Sequence, residues 1–259
     1  MRVVSIANFK GGTGKTVTAC NMAAELAAMG KKVLLIDADP QHNTSDFYLP
    51  KDAGEVQTLY DLLEGIADPY WENIAVPTGR EGIDLLPADM QLLLLDLGSI
   101  VNGSQAPLTA RFADFLDALR TDDAFDYVII DCPPSFTAAT VAALLESDDV
   151  IMPTRVDAFS RQGVTELIDQ VRNIGRAARG LKFHALITMH DRTNLSRQGE
   201  ALLRQSGFHV FRTVIRACVA VGESTYAKQP LREYAPRCTA AKDYEFFARE
   251  FREEVRLNG

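Results

Sequence analysis

The sequence predicts an α/β fold in which a mainly parallel, twisted sheet carries helices on both faces. Three observations point there: short apolar runs alternate with helix-period segments, a glycine-rich turn follows the first run, and two later runs end in aspartate. The apolar runs at 3–7, 33–36, 83–86, 127–130, 150–152 and 183–188 are short, often β-branched and bounded by polar or turn residues. Strands buried on both faces read this way. Helical spacing covers 15–29, 108–119, 137–145, 162–174 and 194–205, and a terminal helix spans about 240–255. Such alternation is joined by right-handed crossovers, and ligands bind beyond the carboxyl ends of the strands. Residues 98–107 read as a polar loop. No repeat, low-complexity tract or linker divides the chain, so residues 1–259 are expected to form a single domain.

The 259 residues are 47% hydrophobic and 24% charged, ordinary for a globular protein with one sizeable core. No apolar run approaches the ~18 residues of a spanning helix. The start, Met1-Arg2-Val3-Val4-Ser5, lacks the features of a secretory leader. A soluble cytoplasmic protein is expected. Cys20, Cys132, Cys218 and Cys238 lie far apart with no C-x-x-C pair, and the four histidines show no ligand spacing. Neither a disulfide framework nor a structural zinc site is expected. Net charge is −8, which repels polyanions on average. Residues 151–242, however, hold 15 Lys and Arg against 7 Asp and Glu, a net of +8 that leaves −16 for the remainder. That asymmetry fits either solvated helix faces or a polyanion-binding face.

After the first strand comes Asn8-Phe9-Lys10-Gly11-Gly12-Thr13-Gly14-Lys15-Thr16, whose end opens a helix. Backbone N–H groups of such a turn, together with the helix N-terminus, cradle phosphate. The strict pattern G-x-x-x-x-G-K-[ST] needs glycine where this chain has Phe9, but Gly14-Lys15-Thr16 is in register. Lys10, Gly11, Gly12, Thr13, Gly14, Lys15, Thr16 and Val17 are the candidate nucleotide-binding residues. Lys15 suits the β- and γ-phosphates, and the Thr16 hydroxyl suits Mg²⁺.

Two further segments place acids at strand ends. Leu35-Ile36-Asp37-Ala38-Asp39-Pro40-Gln41 sends out Asp37 and Asp39, either of which has the alternative role of capping the following turn. Tyr127-Val128-Ile129-Ile130-Asp131 closes on an acid suited to Mg²⁺ through water, a Walker B reading, and Cys132-Pro133-Pro134-Ser135 follows. Without a matching cysteine, Cys132 reads as a small buried thiol.

The run Lys-Gly-Gly-Thr-Gly-Lys-Thr at 10–16, with the D-x-D-P-Q at 37–41, resembles the deviant Walker A ATPases of the ParA/MinD family. The resemblance implies ATP and Mg²⁺ as ligands, hydrolysis to ADP and phosphate, and an ATP-sandwich homodimer in which Lys10 reaches the partner's nucleotide. It gives Asp39 the attacking water, chiefly by orientation, places Asp37 in the magnesium network, and makes the Pro-Pro turn a γ-phosphate sensor. Lys10, Lys15 and Asp39 are thus the catalytic candidates, and Thr16, Asp37 and Asp131 the metal candidates. The absence of N-K-x-D agrees with adenine rather than guanine.

Thr188-Met189-His190-Asp191-Arg192-Thr193-Asn194-Leu195-Ser196, Phe211 to Ile215, Pro230 and Tyr234-Ala235-Pro236 extend the likeness to the Soj-like chromosomal and plasmid partition branch. That branch implies non-specific DNA binding by the ATP dimer, a ParB-like stimulating partner and association with the nucleoid. Arg192, Arg197, Arg204, Arg212 and Arg216 are the DNA-binding candidates. Where relatives commonly read P-R-N-V-R-L-S-E-A, this chain reads Arg216 to Ser224 without both expected arginines. The early first strand leaves no room for a preceding helix-turn-helix, so operator recognition is not expected. A MinD-like membrane ATPase is the competing branch. Tyr244, Phe247, Ala248, Phe251 and Val255 do form a helical stripe, but 243–256 carries five acids against three arginines. That balance opposes anionic lipid and favours packing on the sheet, so no membrane partner is expected. A nucleotide-coupled metabolic enzyme of the same fold is the third reading.

Overall fold

The computed structural model describes residues 1–102, 106–156, 169, 180–191, 193–207 and 209–258. Its sheet contains β1 (Arg2–Ile6), β2 (Val33–Asp37), β3 (Val76–Pro77), β4 (Ile83–Leu86), β5 (Tyr127–Asp131), β6 (Asp149–Arg155), β7 (Lys182–Thr188) and β8 (His209–Val210). The order is β3-β4-β2-β5-β1-β6-β7-β8. All pairings are parallel except β3 with β4 at the edge. The predicted mainly parallel sheet is therefore present.

Strand side chains alternate between two apolar layers. Val3, Leu34, Ile36, Val128 and Ile130 face one, and Val4, Ile6, Leu35 and Ile129 face the other. The second layer is covered by α1 (Lys15–Ala28) and the terminal helix, α11 (Thr239–Asn258). Ala19, Ala23 and Leu26 of α1 share that core with Tyr244, Phe247 and Phe251. Small alanines let α1 lie close to the sheet. The first layer is covered by α3 (Leu59–Glu64), α5 (Leu92–Asn102), α6 (Ala106–Thr121) and α7 (Ala138–Glu146). Between these lie α2 (Asn43–Tyr48) and α4 (Trp71–Ile74), and after β7 come α8 (Asn194–Arg204), α9 (Ala220–Tyr226) and α10 (Leu231–Tyr234).

β1 lies between β5 and β6. The chain leaves β1 through α1 on one face towards β2, and leaves β5 through α7 on the other face towards β6. This reversal opens a crevice beyond the ends of β1 and β5, where ligands of open parallel sheets bind.

One sequence expectation fails. Of the polar loop expected at 98–107, residues 98–102 belong instead to α5 and 106–107 to α6, and 103–105 lie outside the described residues. Leu92 and Leu95 anchor α5 in the core, and the half-buried Gly98 costs only ~1 kcal/mol of helix propensity. Of the helix expected at 162–174, only residue 169 is among the described residues, and it is helical.

Candidate active site

The turn after β1 takes its shape from glycine. Gly12 has φ 71° and Gly14 φ 90°, left-handed conformations that glycine adopts without a Cβ clash. A Cβ built on Gly11 or Gly12 meets nothing within 4 Å, so the outer rim of the loop is open. Its inner side is fastened to the sheet. Asn8 Nδ2 donates to the Pro153 carbonyl at 2.8 Å while Asn8 Oδ1 accepts from Lys10 N at 2.9 Å, and the Thr188 hydroxyl donates to the Thr13 carbonyl at 2.8 Å. α1 then begins with no side chain capping its first N–H groups. Those donors and the positive end of the helix face the crevice, a fit for phosphate.

Lys15 folds back over the loop, its Nζ donating to the Lys10 carbonyl at 3.3 Å. Burial lowers its pKa, although Asp131 and Asp39 pull the other way. Lys10 is exposed, and its side chain has no partner among the described residues.

Asp37 and Asp131 are register neighbours at the ends of β2 and β5. Asp131 Oδ2 accepts from the hydroxyls of Thr16 at 2.8 Å and Thr44 at 2.7 Å. Its Oδ1 is buried and has no hydrogen-bond partner among the described residues. An orphaned carboxylate oxygen beside the Thr16 hydroxyl fits a hard divalent cation, because leaving it unpaired carries a desolvation penalty. Burial pushes both carboxyls upward, and the charge of Asp37 pushes Asp131 further. The pair therefore favours a positive neighbour.

Asp37 points into the turn that follows it. Its Oδ2 accepts from Ser45 N at 2.7 Å and from the Ser45 hydroxyl at 2.8 Å, and its Oδ1 accepts from Asp39 N at 3.1 Å. Asp39 Oδ1 accepts from Gln41 N at 2.9 Å, so the capping role open to both acids is present in the geometry. Asp37 thereby sets the backbone from which Asp39 emerges. Cys132 is a fully buried thiol, pushed up to about 12 chiefly by burial, and is inert to redox chemistry in that state. Beyond the Pro-Pro turn, Phe136 stacks on Phe9 at 3.8 Å between ring centroids, joining the β5 turn to the phosphate loop.

Sequence reasoning missed Asn8, Thr44, Ser45 and Thr188. Thr44 reaches Asp131 across 87 residues of sequence, and no local spacing announces it. The sequence-level signal is two hydroxyl residues shortly after the first acidic segment, Asp37 to Gln41.

The candidate arginines separate by environment. Arg197 is exposed with no side-chain partner among the described residues. Arg212 is 81% exposed but touches Glu250 at 3.3 Å. Arg204 bonds Glu200 at 2.9 Å and the Phe211 and Arg212 carbonyls at 3.1 and 3.3 Å. Arg216 forks onto Asp243, with NH2 to Oδ1 at 2.6 Å and Nε to Oδ2 at 2.9 Å. Arg192 lies outside the described residues. The α11 stripe of Tyr244, Phe247, Ala248 and Phe251 is buried against the sheet, and among the described residues no helix is long and apolar enough to cross a membrane.

A family model described as an AAA domain matches residues 1–182. The chain is 38% identical over 254 residues to the chromosome partitioning protein ParA of Caulobacter vibrioides, covering 96% of this chain and 93% of that protein. It is 34% identical to the sporulation initiation inhibitor protein Soj of Bacillus subtilis, covering 96% and 97% of the two chains. Among solved structures it resembles a cobyrinic acid a,c-diamide synthase from Mycobacterium smegmatis with bound ADP and magnesium, at 27% identity, TM-score 0.78, and coverage of 99% and 96%. With the phosphate cradle, the paired acids and near full-length likeness in agreement, this chain belongs to the ParA/Soj family of P-loop partition ATPases, which work with ATP and Mg²⁺.

Proposed function

We propose that residues 1–259 act as one ATP-driven partition switch: ATP·Mg²⁺ joins two copies face to face, the dimer binds DNA without sequence preference, and hydrolysis releases it. The observation that carries this reading is the unpartnered, exposed Lys10 at the mouth of the phosphate cradle. A cation with no partner among the described residues of its own chain is available to neutralise a triphosphate held by another copy. Apolar side chains flank the same mouth. Met90, Leu93, Leu94, Leu97 and Phe136 are 42–59% exposed, and Met90 touches Gln41 while Phe136 covers Phe9. Such a patch suits burial between subunits.

Within the site, Thr16 and Asp131 hold the cation, which supplies charge neutralisation at the triphosphate. Asp37 holds the turn, Lys15 and the α1 amides bind phosphate, and Asp39 orients the attacking water. For DNA, Arg192, Arg197, Arg204, Arg212 and Arg216 act as a group. Arg197 and Arg212 carry the least neutralised charge among those described, whereas Arg204 and Arg216 also hold the fold. A ParB-like partner stimulates hydrolysis, and DNA binding places the protein on the nucleoid within the cytoplasm.

Binding to a random duplex measured with ATP, ADP and no nucleotide across salt tests the reading. Affinity only with ATP·Mg²⁺, with log K falling steeply against log salt, is the expected result. No affinity at low salt contradicts it. The likeness to the Mycobacterium diamide synthase favours one alternative, a nucleotide-coupled metabolic enzyme. Product analysis yielding anything beyond ADP and phosphate would support that alternative.

A further inference from the structure

Towards the amino ends of the strands, away from the phosphate loop, three side chains converge that the ATPase site does not use. Parallel pairing sets His184 of β7 directly beside His209 of β8. Their Nδ1 atoms face each other at 2.9 Å. Glu254 on α11 reaches the same place, with one carboxylate oxygen 3.4 Å from His209 Nε2. One ligand atom from each of the three residues lies within 4.8 Å of the others.

Proton placement makes this arrangement informative. His184 Nε2 lies 2.8 Å from Asp149 Oδ1. Asp149 also accepts from Arg2 Nε at 2.6 Å. Asp149, paired with Arg2, accepts a hydrogen bond from His184 Nε2, which leaves the lone pair of His184 on Nδ1. That lone pair faces His209 Nδ1 at 2.9 Å. Two imidazole nitrogens at this separation share a positive centre, either a proton or a metal ion.

We propose that His184, His209 and Glu254 form a binding site for a borderline divalent transition-metal ion of the zinc class, with Asp149 orienting His184 from behind. Imidazole nitrogen with one carboxylate is the donor set such ions prefer over magnesium. A carboxylate behind a metal-bound imidazole fixes its tautomer and raises its basicity. Zinc–nitrogen bonds of about 2.0–2.1 Å require the two nitrogens to open by a few tenths of an ångström from their present separation. His209 is 45% exposed on a two-residue edge strand, so it has room to move and the ion has a path in. Bound there, the ion staples β7, β8 and α11 together.

The test uses the full chain with excess Mg²⁺ to saturate the phosphate site. Titration with Co²⁺ is expected to give visible ligand-field bands at one equivalent, and Zn²⁺ is expected to bleach them by displacement. His209→Ala is expected to weaken Co²⁺ binding at least tenfold, in line with the ~10–100-fold effects seen around metal sites, with ATP hydrolysis unchanged. Glu254→Gln is expected to weaken it as well. Bands that persist unchanged in His209→Ala, a thiolate charge-transfer band indicating the cysteines instead, or no complex at one equivalent would each overturn the proposal. The last result would mean that the two imidazoles share only a proton. Because His209 is exposed, His209→Ala decides the matter even if a His184 variant fails to fold.

Discussion

At the scale of single residues, the site is governed by how each carboxylate oxygen is satisfied. Asp131 receives two hydroxyl donors on one oxygen and none from the described residues on the other, so the unpaired oxygen is the one available to a cation. Thr44→Val removes a buried donor and leaves Thr16 as the sole one, at a cost of ~1–3 kcal/mol. Thermal melting is expected to fall, and the Mg²⁺ concentration needed for half-maximal hydrolysis to rise; unchanged values for both would remove Thr44 from the cation's surroundings. Lys15→Ala is expected to abolish measurable triphosphate binding in a calorimeter, since Lys15 is the buried amine over the cradle, and wild-type affinity would refute that placement. Lys15, Thr16 and Asp131 are legible in sequence because strand, turn and helix lie consecutively around them. Thr44, Ser45 and Asn8 are not, because their partners Asp131, Asp37 and Pro153 become neighbours only after the sheet forms.

At the scale of elements, the terminal helix shows how charge and packing divide the work. Its apolar stripe lies in the core, while two of its acids, Asp243 and Glu250, are buried and accept from the backbone that follows β8. Periodicity identifies the stripe, but a charge count does not reveal that these two acids are buried. Burial raises the Glu250 carboxyl, yet hydrogen bonds from Thr213 and Arg212 outweigh it and leave the pKa lowered. A lowered folded pKa contributes stability that is present above the ordinary value of 4.5 and is lost as pH falls through the folded value. Glu250→Gln is therefore expected to destabilise the protein by ~1–3 kcal/mol near neutral pH. In urea titrations the difference from wild type should shrink below about pH 4.5, and a difference independent of pH would contradict this role for Glu250. Helix α5 makes the complementary point. Gly98 and the polar residues after it read as a loop, but a leucine run with two buried anchors sustains the helix, so tertiary packing overrides local propensity.

At the scale of the molecule, strand order is only partly legible. Alternating periodicity gives a parallel sheet, but it does not place β1 between β5 and β6, and that placement is what brings Asp131 to Thr16. Nor does sequence spacing bring His184 to His209, 25 residues apart, which parallel register does. The same geometry leaves Lys10, Met90 and Phe136 exposed around the phosphate loop. The proposal that nucleotide joins two copies is open to a direct measurement: the solution mass of Asp39→Ala by light scattering, with ATP·Mg²⁺ and with ADP·Mg²⁺. The expected result is a dimer with ATP, a monomer with ADP, and a monomer in both when Lys10→Ala is added while ATP binding survives. A monomer with bound ATP in the Asp39→Ala protein would contradict the proposal.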